Sequence, residues 1–140
     1  MATLHDAIKE IQVVIGALNG IKRAPVNPPE QMDAFPFVVC YARTGVLKSG
    51  PIEQMTGLHD LIVELHMSRE PDLPKVIGKL MDFSNLIPNA LFLAIKNSTF
   101  TTVQTFGPIN YTFGPLGWGG VATVGWTFTL VAVKIQSVVA

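Results

Sequence analysis

The stretch that decides the fold is residues 57–68, GLHDLIVELHMS, in which apolar and polar side chains alternate. The apolar positions lie two residues apart, which is the side-chain period of a β-strand and not of a helix. The segment therefore predicts a strand in a sheet with one buried face and one polar face. The buried face holds Leu61, Val63, Leu65 and Met67. The other face holds Asp60, Ile62, Glu64, His66 and Ser68.

Working toward the N-terminus, the chain predicts a strand, a proline-rich connection and a helix. Residues 37–43 are rich in β-branched and aromatic types and predict a strand, whereas residues 44–56 predict a loop. Residues 21–36 contain four prolines and predict a stiff, extended arm that could lie along a neighbouring subunit. Residues 3–18 repeat apolar positions at steps of three and four, which predicts an amphipathic helix with Thr3 as its cap.

Toward the C-terminus, the pattern predicts helical pieces followed by two long strands. The second helix is expected to begin with Asp72 as its N-cap and to break at Ile87-Pro88, before a short helical piece that ends near Ile95. Residues 99–113 and 121–136 predict two strands around a wide glycine-rich turn.

The resulting order is α-β-β-α-β-β in one domain that spans residues 1–140. Strands adjacent in sequence usually pair as neighbours. We therefore predict an α+β fold: a mainly antiparallel four-stranded sheet, helices packed on one face, and a long C-terminal hairpin.

Composition excludes several classes of protein. The formal net charge is zero and only 14% of residues are charged, which argues against a dedicated nucleic-acid binder and against disorder. A single cysteine excludes an intramolecular disulfide framework. No stretch predicts a signal peptide or a transmembrane helix, so we expect a cytoplasmic protein. Residues 97–140 carry only one charge, on Lys134, so this part is either buried within the domain or faces other subunits.

Few residues suggest a catalytic or metal-binding site. Asp60, Glu64 and His66 share one strand face, but a metal or acid–base site would need further convergent groups. A solvated or subunit-facing strand explains them better. Cys40 stands in mid-strand without a nearby base, which indicates a buried structural thiol. We therefore assign no catalytic, metal-binding or cofactor-binding residue.

The run at residues 114–120, GPLGWGG, lacks the spacing of a dinucleotide-binding or phosphate-binding loop. Trp118 in this run is either a local plug over the sheet edge or an anchor for a partner. We predict the second role, in which Trp118→Ala would impair assembly and leave the stability of the monomer nearly unchanged. The candidates for an interface are Trp118, Leu116, Tyr111, Pro28, Pro29 and Arg23.

Six segments, in order along the chain, carry a family resemblance. They are Gly20-Ile-Lys-Arg-Ala-Pro25, Pro28-Pro29-Glu30, Phe35-Pro-Phe-Val-Val39, residues 57–66, Asp72-Leu-Pro74 and residues 111–120. Together they resemble the small tail terminator, or tail completion, proteins of long-tailed bacteriophages. None of these segments is a catalytic signature, so the resemblance depends on their sequences and their order.

The resemblance implies a homohexameric ring that caps the head-proximal end of the tail tube. Such a ring stops polymerisation of the tube protein and offers a surface for head joining. The implied partners are further copies of the chain, the tail tube protein and a head–tail connector or neck protein, with no cofactor and no membrane. Sequence-specific binding of nucleic acid is not expected, although DNA could pass through the ring. The implied location is the neck region of the virion tail, and the host cytoplasm during assembly.

Two alternatives remain at this point. The first is another phage neck or tail protein, such as a connector or a tube-like protein. The second, from a different class, is a small enzyme or a metal-binding or ligand-binding domain that uses the face of Asp60, Glu64 and His66.

Overall fold

A computed structural model describes residues 3–27, 29–49, 54–68 and 73–138. Within these ranges the predicted α+β class and the order of elements are confirmed. The elements are α1 (Leu4–Gly16), β1 (Phe37–Ser49), β2 (Gln54–Ser68), α2 (Leu73–Leu80), α3 (Phe83–Lys96), β3 (Val103–Thr105), β4 (Ile109–Trp118) and β5 (Val121–Val138).

The strands form one curled antiparallel sheet with the shape of a half-barrel. The order is β1-β2-β5, and both β3 and β4 pair with the far side of β5. The first strand of the predicted C-terminal hairpin is thus divided in two, so the described sheet has five strands and not four. The division falls at Gly107-Pro108, where Gly107 donates its N–H to Val131 and Pro108 has no N–H to give.

The N-terminal hairpin is longer than predicted. Most of the expected loop at residues 44–56 is strand, since β1 continues to Ser49 and β2 begins at Gln54. Strand β5 pairs with β2 as far as Val138, which gives this end of the hairpin a third strand. The sequence pattern of 44–56 is that of a loop, but the backbone partners supplied by β5 favour extended structure.

The C-terminal hairpin turn is tighter than predicted. It consists of Gly119 and Gly120, both with positive φ angles, of 57° and 80°. This is the backbone that a two-residue turn of type I′ requires, and glycine adopts it without steric cost. Strand β4 therefore extends to Trp118, which pairs with Val121 and does not lie at the tip of a wide turn.

The helical break is also misplaced in the sequence-based prediction. Helix α2 ends at Leu80, and α3 runs from Phe83 to Lys96 through Pro88. A proline in a helix removes one backbone hydrogen bond, but the buried stripe of α3 packs on the sheet and outweighs this loss. That stripe consists of Phe83, Ile87, Leu91 and Ala94. The predicted N-cap at Asp72 lies outside the described residues.

The core lies between the helices and one face of the sheet, as predicted. On this face Leu61, Val63 and Leu65 of β2 stand opposite Leu130, Phe128 and Trp126 of β5. All six side chains are at most 5% exposed. Burial of each such side chain contributes about 1.5–3 kcal/mol to folding. The indole N–H of Trp126 also donates to the carbonyl of Leu80, at 2.8 Å, which ties α2 to the sheet.

A carboxylate joins α1 to the beginning of β3. The predicted cap is present, with the Thr3 hydroxyl accepting from the N–H of Asp6. One turn after it, Glu10 accepts hydrogen bonds from the backbone N–H groups of Thr101, Thr102 and Val103, at 2.9–3.3 Å. Partial burial raises the pKa of Glu10, but a hydrogen bond from the Thr101 hydroxyl, together with those from the backbone N–H groups, outweighs the burial, so the pKa lies below its usual value.

The close approach of β5 to β2 at Gly125 leads to a prediction. A Cβ atom at Gly125 would lie 1.7 Å from the carbonyl oxygen of Leu65, so Gly125→Ala forces the two strands apart. We expect a loss of at least about 3 kcal/mol in the free energy of unfolding, measured with urea. Gly114, which pairs with Gly125 in β4, has open space at the same position. Gly114→Ala is the matched control and is expected to change stability by less than about 1 kcal/mol. Equal effects of the two substitutions would contradict this account.

Candidate functional site

A chain of hydrogen-bonded polar side chains crosses the sheet on the face that points away from the helices. The hydroxyl of Tyr41 in β1 donates to Oε2 of Glu64 in β2. Oε1 of the same carboxylate lies 2.8 Å from Nε2 of His66. Nδ1 of His66 lies 2.6 Å from the hydroxyl of Thr123 in β5. The side chains therefore link three neighbouring strands.

This polar chain is closed, because both oxygens of Glu64 and both ring nitrogens of His66 already have partners. His66 and Thr123 are at most 1% exposed. Burial raises the pKa of Glu64, but hydrogen bonds from His66 and Tyr41 outweigh it and bring the pKa below its usual value. Burial, together with the bond to Glu64, raises the pKa of Tyr41. The arrangement stabilises the ionised carboxylate and gives each of its oxygens a hydrogen-bond partner within the domain.

Trp118 covers this chain. Its ring centroid lies 6.2 Å from those of Tyr41 and His66, and it meets the imidazole edge-on. The indole N–H donates to the carbonyl oxygen of Pro29 at 2.7 Å. These contacts support the local plug and not the partner anchor that the sequence led us to predict.

The proline-rich arm meets the β4–β5 turn at the same place. A Cβ atom at Gly119 would lie 2.2 Å from the carbonyl oxygen of Glu30, so the two segments are in direct contact. Further along the arm, Gln12 of α1 donates to the carbonyl of Pro25 at 2.9 Å, and Arg23 pairs with Asp33 at 3.0 Å. The arm is therefore attached to its own domain and does not extend freely toward a neighbour. Pro28, one of the predicted interface residues, lies outside the described residues.

Asp60 does not join Glu64 and His66. It lies where both neighbouring strands are irregular, and its carboxylate accepts from the N–H of Ala132 at 3.1 Å and from the Thr44 hydroxyl at 3.4 Å. Ala132 has a positive φ of 54°, so Asp60 stabilises a β-bulge. Among the described residues, no group of three or more His, Cys, Asp or Glu side chains could hold a metal ion.

Cys40 is buried in the core, as the sequence predicts, and burial raises the pKa of its thiol to about 12. The other two histidines lie apart from the polar chain. His59 lies on the face of β2 opposite to Glu64 and His66, in space that Gly45 and Gly57 leave open. His5 is hydrogen-bonded to Asn27 at 2.9 Å.

The remaining predicted interface residues differ in exposure. Tyr111 is 61% exposed and rests edge-on against Trp126, at a centroid distance of 5.4 Å. Arg23 is exposed, whereas Leu116 and Pro29 are half-buried. A subunit contact through any of them stays a prediction.

Sequence reasoning missed exposed apolar residues on the distal half of the β1–β2 hairpin. Val46 and Leu58, which pair with each other, are 55% and 39% exposed and share one face of the hairpin. Leu47 is 60% exposed and points to the other face, since successive side chains of a strand alternate. The signal was present in the sequence, since two adjacent apolar residues interrupt a segment otherwise typical of a loop. The assignment of that segment to a loop concealed its relation to Leu58.

Comparison with known proteins gives no assignment: no family model matches the chain, and no curated protein matches it in sequence. Among the described residues, no helix combines the length and apolar character needed to cross a membrane.

The polar chain predicts acid-sensitive stability. Glu64→Gln removes the charge that Tyr41 and His66 bond to, and should reduce the free energy of unfolding by about 1–3 kcal/mol at pH 7. Because folding lowers the pKa of Glu64, its contribution is fully present above the usual value near 4.5 and is lost as the pH falls through the lowered value. Urea titrations between pH 7 and pH 3 should therefore show the difference between wild type and variant shrinking in acid. Glu30→Gln, at an exposed position, is the control. A stability difference between wild type and Glu64→Gln that stays constant from pH 7 to pH 3 would contradict this account.

The position of Trp118 over Tyr41 and His66 predicts that substitutions at residue 118 reduce stability by graded amounts. Trp118→Ala removes the ring over Tyr41 and His66 and should cost about 2–4 kcal/mol in unfolding free energy. Trp118→Phe keeps a ring but loses the hydrogen bond to Pro29, which should cost about 1 kcal/mol. Thermal and urea unfolding measure both effects. An unchanged stability of Trp118→Ala would instead support the partner-anchor role predicted from the sequence.

Proposed function

We propose that the chain is a structural virion protein, a tail terminator that forms a ring on the head-proximal end of a phage tail tube. The sequence segments that resemble such proteins support this assignment. The fold supports it as well, because the resemblance implies a helix-flanked antiparallel sheet and the described chain has one.

The observation that carries the proposal is the pair of open edges of the sheet. Within the described residues, β4 pairs only with β5, and the outer edge of β1 is met only by a bridge between Arg23 and Phe37. Unpaired strand edges are templates for pairing with another chain. Strand β4 is ten residues long and contains no charged residue that would block such pairing.

The register of β4 indicates which groups face outward. The two-residue turn makes Trp118 and Val121 a hydrogen-bonded pair, so every second residue of β4 from Trp118 points its N–H toward β5. The N–H groups of Ile109, Tyr111 and Phe113 then point away from the sheet. Pro115 also occupies an outward-facing position. The N–H that proline lacks would therefore not have paired with β5, and the β4–β5 ladder is intact.

Two different edges on one chain fit a ring. If β4 of one copy pairs with β1 of the next, the contact is heterologous, and repeated contacts close into a ring when the rotation allows. The exposed apolar residues Val46, Leu47 and Leu58 lie on the β1–β2 hairpin and add contact surface beside the β1 edge. The closed polar chain around Glu64 supports a structural role over a catalytic one.

Tube-length measurement tests the proposed function. The purified chain is added to polymerising tail tube protein, and tubes are measured by electron microscopy with the chain labelled. A terminator should shorten the tubes in proportion to its concentration and appear at one tube end only. Label along the whole tube would indicate a tube-like protein, and label on the connector alone would indicate a neck protein.

Tyr111 provides a test of the edge contact. Tyr111→Lys places a charge on the middle of the β4 edge and should abolish ring formation, measured by light scattering and electron microscopy. Because Tyr111 is 61% exposed, stability should fall by less than about 1.5 kcal/mol. Tyr111→Phe is the matched control and should form rings like the wild type. Rings formed by Tyr111→Lys would show that the β4 edge is not the contact.

A further inference from the structure

The outer face of α3 carries a stripe of residues that its own domain leaves uncovered. The stripe lies opposite the buried face of the helix. Leu86 and Leu93 in it are 42% and 44% exposed, and its other three members are exposed as well. In order, the stripe consists of Asp82, Leu86, Asn89, Leu93 and Lys96.

The spacing of this stripe is that of a helix–helix seam. Its members are separated by four, three, four and three residues, which is the heptad pattern that keeps one face of a helix against a partner helix. The pattern uses leucine on either side of a central asparagine. A single asparagine at a seam position commonly fixes register and the number of helices, at a cost in stability.

The charges at the ends of the stripe identify the partner. Asp82 precedes the first turn and Lys96 lies in the last turn, so the stripe is negative at one end and positive at the other. In an antiparallel pair of identical helices, Asp82 of each copy stands beside Lys96 of the other. Leucine then faces leucine, and Asn89 faces its own copy at the centre. A parallel pair would instead place Asp82 against Asp82.

These two charges complement the dipole of α3, but neither side chain has a charged or capping partner within the described part of the chain. Asp82 occupies the N-cap position of α3, but its side chain makes no capping hydrogen bond. Neither Asp82 nor Lys96 takes part in an ion pair among the described residues. We propose that α3 of one copy packs antiparallel against α3 of a second copy, around a two-fold axis near Asn89.

This contact differs from the one in the ring. A two-fold contact uses the same surface on both copies, whereas the ring joins two unlike edges. The inference therefore does not rest on the proposed function. A single seam of four turns is small compared with standard protein interfaces, so association in the micromolar range or weaker is expected.

Sedimentation equilibrium over a range of concentrations tests the pairing by reversal of charge. The experiment uses the Tyr111→Lys background, in which the proposed ring contact is blocked, and this parent protein should show a monomer–dimer equilibrium. Asp82→Lys and Lys96→Asp each place like charges side by side twice in the dimer, and each should weaken dimerisation about tenfold. The double variant restores opposite charges and should recover dimerisation. An equimolar mixture of the two single variants should form a mixed dimer more tightly than either variant pairs with itself.

Recovery in the double variant cannot result from a more stable helix, because a lysine at the N-terminus and an aspartate at the C-terminus both oppose the helix dipole. Val13→Glu, at a 65% exposed position of α1, is the surface control and should leave dimerisation unchanged. Circular dichroism confirms that each variant is folded. A parent protein that stays monomeric at about millimolar concentration, or a double variant no better than the single ones, would overturn the inference. The tube-length assay remains independent, since both single variants, made in the wild-type background, should still cap tubes if the proposed function holds.

Discussion

The pairing of β5 along both of its sides is the constraint on which the rest of the structure depends. The strand is paired with β2 on one side and with β3 and β4 on the other. Gly125 allows its backbone to come close to Leu65, and Asp60 stabilises the bulge at Ala132. The extra residue of the bulge shifts the alternation by one, so Val133 and Ile135 point into the core like Phe128 and Leu130. One strand therefore contributes side chains to the core over most of its length.

The second face of the sheet is closed by polar contacts and by the arm. Glu64 would be costly to bury alone, but hydrogen bonds from Tyr41 and His66 satisfy both of its oxygens. Trp118 lies over these groups and is held by the carbonyl of Pro29. A face that sequence alternation marks as polar is thereby partly buried without an unpaired charge, and the arm is fixed to its own domain.

The surfaces left open are of two physical kinds. The edges of β1 and β4 offer backbone groups, which pair with any extended chain in register and therefore suit repeated assembly. The stripe on α3 offers side chains, whose order of charge, leucine and asparagine selects one orientation and one partner. A chain with no net charge can bring copies together without general repulsion, so the local pattern of charges decides which contact forms.

Local pattern alone determined α1 with its Thr3 cap, the alternation of 57–68, the buried Cys40 and the α+β class. Each depends on periodicity or on contacts a few residues apart, which a sequence displays directly.

Tertiary structure decided the rest. Helix α3 continues through Pro88 because its stripe is buried, and residues 44–49 become strand because β2, itself held by β5, lies beside them. Glu64 and His66 join Tyr41 and Thr123, and not Asp60, because strand register sets their neighbours. Trp118 covers them because the arm, some ninety residues earlier in the chain, supplies its hydrogen-bond acceptor. These outcomes depend on partners distant in sequence, whose pairing and packing energies exceed local preferences.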